Sequence, residues 1–306
     1  MSASHSAEKV LSSSAKDGGA SQKRSRNMAS SRKTQRVLAL TGQYAGLIAF
    51  AIFTCFPFVW ALSVGLSTDP SNTWLFPRSF WPTEPGLMWF ERVFTEMPFL
   101  TYLKNSTVMS FWTIVSVVVI SVLAAYPLAR LKFPGRNLIF VAIIATLMLP
   151  SEVNIIPNFI TLKHLGLLDS YWGAIIPNFA GAFGIFLMKQ AFEQIPQDLI
   201  DAARVDGATE LQILWRVMVP VSAPSIAALS IFTLVNAWND YLWPSIVITT
   251  RDKLPLAVGV FNDLTGPFAV STSLVMAAIV LTVLPVLIFF AFTQRYFISG
   301  LDGAVK

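Results

Sequence analysis

Cysteine and histidine are nearly absent from this sequence of 306 residues. The single cysteine, Cys55, cannot form an intrachain disulfide or a cysteine-based metal site. The two histidines, His5 and His164, are too few and too far apart in the chain to form an imidazole metal cluster. We therefore expect no metal site, and we find no nucleophile and base pattern that would indicate an enzyme.

Charged residues are also scarce. They make up 13% of the chain, against 54% apolar residues and a mean hydropathy of +0.61. No G-x-x-x-x-G-K-[ST] string occurs, so the chain lacks the common loop that binds nucleotide phosphates. We expect no cofactor on this chain, and we expect any ATP to be bound by another chain. The composition itself is typical of a membrane protein.

Long uncharged runs predict where the chain crosses the membrane, because a spanning helix needs about 20 apolar residues. One run, 137–151, is short and must continue past Glu152. We predict an all-α membrane protein with six transmembrane helices, at about 38–66, 106–128, 138–157, 171–190, 219–240 and 271–294. Prolines within or at the ends of these helices are expected to kink them: Pro57, Pro127, Pro177 and Pro285.

The basic residues predict the orientation of these helices, because Lys and Arg accumulate in short cytoplasmic loops. With a cytoplasmic N-terminus, 16 of the 22 Lys and Arg residues lie inside and 6 lie outside. We therefore expect both termini in the cytoplasm. The net charge of +5 needs no nucleic-acid partner to explain it. Residues 1–36 are predicted to be a disordered basic cytoplasmic tail, followed by a transmembrane domain at 37–306.

The predicted cytoplasmic loop at 193–220 is unusually rich in charge for this chain. Gly207 is placed to end a first short helix in a left-handed conformation. Thr209 and Gln212 have the spacing of a capping box for a second helix, which Pro220 should stop or kink. Each helix would be about 15 Å long, too short to cross a bilayer. The pattern predicts a helical hairpin at the inner membrane surface.

Two interpretations of this hairpin fit its chemistry. The small residues Ala202 and Ala203 would let another protein approach closely, and acids such as Asp201 would suit a basic surface or a helix N-terminus. A solvated hairpin that only joins two membrane helices would have the same residues. The chemistry alone does not separate the two.

The order of residues in this loop resembles a known motif. In bacterial ABC importer permeases the motif is E-A-A-x3-G-x9-I-x-L-P, and here Asp, Val and Val replace its Glu, Ile and Leu at Asp201, Val217 and Val219. In that family the loop is a coupling helix that docks on a separate ATPase subunit. The resemblance implies this role for Asp201, Ala202, Ala203, Gly207, Ala208 and Pro220.

Further segments are similar to the second permease subunit of the carbohydrate branch, the maltose and glycerol-phosphate type. They are Asn105-Ser106, residues 125–133, Leu149-Pro150, residues 238–244 and residues 300–306. This similarity implies a type I permease fold and a half-channel paired with a second, non-identical permease. It also implies two ATPase subunits that bind ATP and Mg, and an extracytoplasmic sugar-binding protein.

The same resemblance implies that the C-terminal segment contacts the ATPase pair, through Gly300, Gly303 and Lys306. A frayed terminus without a partner is the alternative.

A few polar residues near the predicted outer ends of the membrane helices could contact a passing sugar. Asn236, Asn239 and Asp240 end the fifth predicted helix, and Glu152 interrupts the third. Amides and carboxylates hydrogen-bond to sugar hydroxyls, and polar groups within a membrane are functional candidates. Asp240 could instead have reached water. For Glu152 we favour a surface carboxylate beside a proline break, and for the neighbouring Trp and Tyr residues we favour an interfacial belt.

Together these features predict a permease subunit of an ATP-driven carbohydrate importer in the bacterial inner membrane, with lipid and a sugar as its other partners. The alternative is a self-sufficient channel or secondary transporter for a polar solute. That alternative needs a coupling site within the membrane helices, for which Glu152 and Asp240 are the only acids available.

Overall fold

A computed structural model describes residues 40–68, 81–82, 84–264 and 271–304, with residues 295–304 described by their backbone alone. Within these ranges every regular element is a helix, apart from one isolated bridge between Ser67 and Pro85. The all-α prediction is confirmed. The predicted tail at 1–36 lies outside the described residues.

The described α-helices are, in chain order, α1 Leu40–Gly65, α2 Met88–Glu96, α3 Phe99–Arg130, α4 Arg136–Ala145, α5 Ile155–His164, α6 Tyr171–Ile175, α7 Ala182–Glu193, α8 Gln197–Val205, α9 Glu210–Ile213, α10 Val219–Val221, α11 Ala223–Asn239, α12 Leu242–Val247, α13 Leu256–Leu264 and α14 Thr272–Ala304. Short 3₁₀ segments lie at Thr146–Met148, Ser151–Asn154, Ile176–Asn178 and Arg251–Lys253, and a π-helical segment lies at Leu214–Met218.

Three helices are long and apolar enough to cross a membrane alone: α1, α3 and the part of α14 at Thr272–Gln294. Three further crossings are possible as bent pairs of helices, with bends of 96° (Arg136–Met148 and Ser151–His164), 49° (Tyr171–Asn178 and Ala182–Glu193) and 77° (Glu210–Val221 and Ala223–Asn239). The predicted number of six is reached if each bent pair is one crossing.

The bounds of the helices differ from the predicted ones in an instructive way. The third predicted span, 138–157, is not one straight helix, because Leu149 and Pro150 are extended and interrupt it. α3 begins at Phe99 although the prediction began at 106, because the exposed Lys104 can extend out of the apolar layer within the same helix. Uncharged runs predict which residues lie in the apolar layer of the membrane. They do not predict where a helix begins or ends, because a helix can continue beyond that layer.

The described residues fall into two units, divided after Trp60. Residues 40–59, which form most of α1, are all exposed. In the second unit α3 connects two buried clusters. Near its start, Phe99 and Tyr102 pack with α2, α13 and α14, and near its end, Val122 and Tyr126 pack with α7, α8 and α9.

The segment after α12 is fastened to the start of α3 by buried polar side chains. Asn105 donates from its amide to two backbone carbonyls in the 252–254 segment, at 2.8 and 2.9 Å, and accepts from the Tyr171 hydroxyl at 2.7 Å. The Ser106 hydroxyl accepts from the backbone N–H of Leu256 at 2.7 Å. The Asn105-Ser106 pair therefore has a structural explanation as a clamp on this segment.

A second network joins the loop before α6 to the same segment. Asp169, which has a positive φ of 54°, accepts from the backbone N–H groups of Thr249 and Thr250 and from the Lys253 ammonium group, at 3.0, 2.8 and 2.8 Å. The hydrogen bond from Lys253, followed by those from Thr250, lowers the pKa of the Asp169 carboxyl group well below its ordinary value. We call these four residues the Asp169 network.

Candidate functional site

The charged hairpin predicted between the fourth and fifth spans is formed by α8, α9 and α10, at residues 197–221, and we call it the coupling hairpin. α8 ends in a left-handed turn, in which Gly207 has a φ of +80°. Its N–H donates to Arg204 O, and the N–H of Ala208 donates to Ala203 O, both at 3.0 Å. This is the Schellman pairing, and the predicted left-handed end at Gly207 is confirmed.

The start of α9 is also fixed by its local sequence. The Thr209 backbone N–H donates to the Gln212 side chain at 2.9 Å, and the Gln212 backbone N–H donates to the Thr209 hydroxyl at 3.4 Å. This confirms the predicted capping box. The two helices therefore meet at an angle set by two adjacent caps, within residues 206–212.

One side of the coupling hairpin is buried in the second unit. The side chains of Ile200, Ile213 and Met218 are completely inaccessible, and they pack in one cluster with Tyr126 and Phe192. Full burial of an aliphatic side chain contributes about 2 kcal/mol. Three such residues hold the hairpin against the ends of α3 and α7.

The other side of the coupling hairpin is open. Val205 is 87% exposed and Leu211 is 59% exposed. Ala202 is also exposed, and a Cβ atom added to Gly207 would meet no other atom within 4 Å. The exposed face therefore presents the apolar side chains of Val205 and Leu211 beside the small residues Ala202 and Gly207. Asp201 and Asp206 are exposed on the same hairpin.

The residues predicted for ATPase coupling do not all lie on this open face. Asp201, Ala202, Gly207 and Pro220 are exposed. Ala203 and Ala208 are half-buried and pack against the cluster beneath the hairpin. The sequence alone does not tell which of these residues are exposed and which are half-buried, because that depends on which side of α8 packs against α3.

Pro220 lies in α10, and the helical hairpin ends one residue later, at Val221. α11 begins at Ala223 after a bend of 77°. The predicted stop beside Pro220 is therefore observed. Ser222, which separates the two helices, is buried.

Polar side chains at the end of α3 also hold the hairpin. The Tyr126 hydroxyl donates to the Glu210 carboxylate. The Arg130 guanidinium donates to the carbonyl of Phe192, in the last turn of α7, and to that of Ile195, two residues after α7 ends. Arg130 also donates to the Gln197 side chain at 3.2 Å. Tyr126 and Arg130 both lie in the 125–133 segment that resembles carbohydrate permeases, and no local pattern in that segment indicates these contacts.

The third set of candidates surrounds a cavity of about 460 Å³, which we call the polar cavity. Its wall is formed by α3, α11, α12 and the two bent pairs that contain α5 and α7. The polar lining side chains are Thr113, Ser151, Glu152, Asn158, Asn178, Thr233, Asn236 and Asp240, and the aromatic ones are Phe183, Phe232 and Trp243.

Both helix breaks of these bent pairs meet the polar cavity. Ser151 and Glu152 follow the break after α4, while Asn178 and Gly181 flank the break between α6 and α7. Irregular backbone at membrane depth is tolerated where it is buried in protein or lines a water-filled cavity. At both breaks the irregular backbone lines this cavity.

Three of the four predicted pathway residues meet at the polar cavity: Glu152, Asn236 and Asp240. Asn239 does not line it. It is exposed, and its amide donates to Val235 O, one helical turn back, at 2.8 Å. Glu152 is exposed, as we favoured, but it also lines the cavity.

The interfacial-belt interpretation is wrong for two tryptophans. Trp238 and Trp243 are buried, at 5% and 8% exposure. Their indole N–H groups donate to the carbonyls of Thr282 and Gly173, both at 3.2 Å. A buried indole needs such a partner, and neither partner is near its tryptophan in sequence.

The C-terminal candidates are only partly described. Gly300 and Gly303 lie in the helical backbone of α14, and Lys306 lies outside the described residues. Their predicted ATPase contact stays a prediction.

Residues 117–302 match a protein-family model described as "Binding-protein-dependent transport system inner membrane component". The chain belongs to this family. The match covers the second half of α3, the coupling hairpin and most of the residues that line the polar cavity.

Curated relatives agree with this assignment. The chain is 33% identical to "Arabinooligosaccharides transport system permease protein AraQ" of Halalkalibacterium halodurans, over 90% of this chain and 99% of the relative. It is 39% identical to "sn-glycerol-3-phosphate transport system permease protein UgpE" of Yersinia pestis, over 68% of this chain and 75% of the relative.

Solved structures show the same architecture. One chain of a bacterial ABC transporter involved in the import of the acidic polysaccharide alginate has a TM-score of 0.75 and 28% identity, and the match covers 86% of this chain and 98% of that one. A chain from a bacterial alginate ABC transporter in complex with a pentasaccharide-bound periplasmic protein shares the fold at a TM-score of 0.54 and 18% identity. The chain is thus an inner-membrane transport permease of the ABC importer type, and the family is not one of enzymes.

Proposed function

We propose that this chain is one of two non-identical permease subunits in an ATP-driven carbohydrate importer. The relatives named for arabinooligosaccharide and glycerol-phosphate transport support a polyhydroxylated solute. The remaining subunits would be two ATPases and an extracytoplasmic sugar-binding protein. ATP and Mg would bind to the ATPases, and this chain would supply half of the pathway.

The observation that carries this proposal is the two-sided coupling hairpin. Its open side, around Val205 and Gly207, is free to receive an ATPase. Its buried side is continuous with α3 and α7. Both of those helices also line the polar cavity, through Thr113 on α3 and Phe183 on α7. Movement of the hairpin by a closing ATPase would therefore reach the cavity wall through packed helices.

The proposal includes a cytoplasmic N-terminus, a cytoplasmic C-terminus and six crossings. The distribution of contacts supports it. Segments predicted to be cytoplasmic, at 130 and 193–210, contact each other at the end of α3. Segments predicted to be outside, at 169 and 249–263, contact each other or the start of α3. In the cytoplasm, residues 300–306 would contact the ATPase pair.

The test is reconstitution of the intact assembly from its native membrane. We expect mass spectrometry to find a second permease and an ATPase with this chain. We also expect sugar uptake into liposomes to require ATP and the binding protein. Solute flux through liposomes that contain this chain alone would support the self-sufficient channel or secondary transporter and contradict the proposal.

A further inference from the structure

The described ionisable residues that line the polar cavity are all acidic. Two carboxylates line it, Glu152 and Asp240, and none of the described lining residues is Lys, Arg or His. Carboxylates in a partly enclosed cavity repel an anionic solute more strongly than they would in bulk water, because the effective dielectric constant is lower. The charge on this wall therefore disfavours phosphorylated and carboxylated solutes.

Three of the hydrogen-bond donors on the wall are already used within the chain. The Thr113 hydroxyl and the Trp243 indole N–H donate to backbone carbonyls at 2.9 and 3.2 Å. The Ser151 hydroxyl donates to the Glu152 carboxylate at 3.1 Å. These groups are not available to bind the oxygens of a phosphate or carboxylate.

Two side-chain amides on the wall also use an N–H donor within the chain. Asn178 and Asn236 each donate from the side-chain nitrogen to the carbonyl one helical turn back, at 3.4 and 2.8 Å. Each amide keeps its oxygen as an acceptor and one N–H as a donor. Together with Glu152 and Asp240, the two amide oxygens make the wall rich in hydrogen-bond acceptors. Sugar hydroxyls can donate to these acceptors, whereas an ionised carboxylate or phosphate group cannot.

We propose that this cavity selects an uncharged, polyhydroxylated solute, with Glu152 and Asp240 as the residues that exclude anions. The inference rests on the proposed import function, because it assigns the solute class of that pathway. Membership of the family does not decide the class, since the matched proteins are named for arabinooligosaccharides, for glycerol 3-phosphate and for acidic alginate. The pair Phe183 and Phe232, whose ring centroids are 5.5 Å apart, adds apolar surface for the C–H faces of a sugar.

The experiment measures the electrostatic potential of the cavity with charged thiol reagents. The single cysteine is first removed by Cys55→Ser, and Thr233→Cys then places a thiol on the cavity wall. The intact transporter is treated, during ATP turnover, with a cationic trimethylammonium-ethyl and an anionic sulfonatoethyl methanethiosulfonate. The rate ratio is compared with that of a free thiol in solution. Ala237→Cys, also on the wall, repeats the measurement if Thr233→Cys does not assemble.

We expect the cationic reagent to be favoured about tenfold beyond the free-thiol ratio. The matched control adds Glu152→Gln and Asp240→Asn, and it should bring the ratio back to within about threefold of the free thiol. A ratio equal to that of the free thiol, or one that the control leaves unchanged, overturns the inference. Failure of both reagents to react also overturns it, because the cavity would then not be part of an aqueous pathway.

The proposed function is tested separately on the same liposomes. Loss of ATP dependence in uptake contradicts the importer and leaves the measured charge selectivity of the wall in place. ATP-dependent uptake with no charge selectivity at the wall contradicts only the solute class.

Discussion

Gly207 meets two separate requirements of the coupling hairpin. Its φ of +80° is a conformation that other L-residues adopt only at a cost of about 1 kcal/mol. Its Cα also lies on the open face, where an added Cβ would touch nothing in this chain. Substitution therefore acts through backbone strain within the chain and through bulk at the surface that a partner would meet.

We expect Gly207→Val to uncouple ATP hydrolysis from uptake, because valine both resists the left-handed conformation and enlarges the open face. Insertion into the membrane should be normal, since no contact within the chain is lost. Gly207→Asn is the matched control, because asparagine tolerates a positive φ and adds bulk alone. Uptake and ATPase activity are measured on both variants. Normal uptake by Gly207→Val would remove Gly207 from the coupling site.

The role of Tyr126 can be tested by removing a single oxygen atom, that of its hydroxyl group. Tyr126→Phe removes the hydroxyl that donates to Glu210 and keeps the ring in the buried cluster. We expect a loss of about 1 kcal/mol, since Glu210 is exposed, together with weaker ATPase stimulation by the loaded binding protein. The readouts are thermal stability and stimulated ATPase activity.

Tyr171→Phe is the matched control for this change. It also removes one hydroxyl donor, the one that donates to Asn105 at the other end of α3. It should lower stability without specifically lowering ATPase stimulation. Equal effects of the two variants on stimulation would show that Tyr126 has only a structural role.

The residues that sequence analysis assigned correctly are those whose conformation depends on near neighbours. Gly207 and the Thr209 cap are set within a few residues of chain, so their pattern predicts them. The burial of Trp238 and Trp243 depends on Thr282 and Gly173, which are distant in sequence. No local pattern carries that information.

At the scale of elements, the apolar runs predict the crossings but not their bends. Pro127 and Pro285 lie inside the continuous helices α3 and α14, while the chain breaks beside Pro150 and shortly after Pro177. A proline removes one hydrogen bond, and the helix continues if packing still favours it. The breaks occur where the backbone lines the polar cavity, which a single sequence does not show.

The Asp169 network joins two elements and should depend on pH. The pKa of Asp169 is lowered in the folded protein from its ordinary value of 3.8, chiefly by Lys253. A lowered folded-state pKa adds stability above the unfolded pKa, and that stability is lost as the pH falls through the folded pKa. We expect the stability difference between the wild type and Asp169→Asn to be constant above pH 3.8 and to shrink below it.

The measurement is thermal unfolding of the purified assembly between about pH 6 and pH 3. Lys253→Met serves as a control, because it removes the principal cause of the lowered pKa and leaves the Asp169 carboxylate and its backbone donors. Its difference from the wild type should shrink in the same pH range. A difference that persists unchanged at the lowest pH would show that the ion pair does not stabilise this junction.

At the scale of the whole molecule, α3 unites the parts of the proposed mechanism. Its end contacts the coupling hairpin, its middle lines the polar cavity at Thr113 and Val117, and its start holds the segment after α12. Displacement of the hairpin must therefore deform the cavity, move α3 as a body or break the packing around Tyr126. Close packing makes the second outcome the least costly.

This arrangement requires the coupling hairpin and the Asp169 network to lie on opposite sides of the membrane. We expect Val205→Cys, in a Cys55→Ser background, to react with a membrane-impermeant thiol reagent only in inverted vesicles, because the distribution of basic residues predicts a cytoplasmic hairpin. Leu165→Cys, in the loop before α6, should react only from the outside of intact spheroplasts. Both positions are well exposed, at 87% and 63%, so access to the reagent depends on sidedness and not on burial.

Assembly with the ATPase should slow the labelling of Val205→Cys and leave that of Leu165→Cys unchanged, because only the hairpin would be covered by the partner. Labelling is quantified by mass spectrometry, with and without the ATPase. Reaction of Val205→Cys from the outside would reverse the topology and exclude a cytoplasmic ATPase as the partner of this face. Equal labelling of Val205→Cys with and without the ATPase would instead retain the topology and place the ATPase contact elsewhere on the chain.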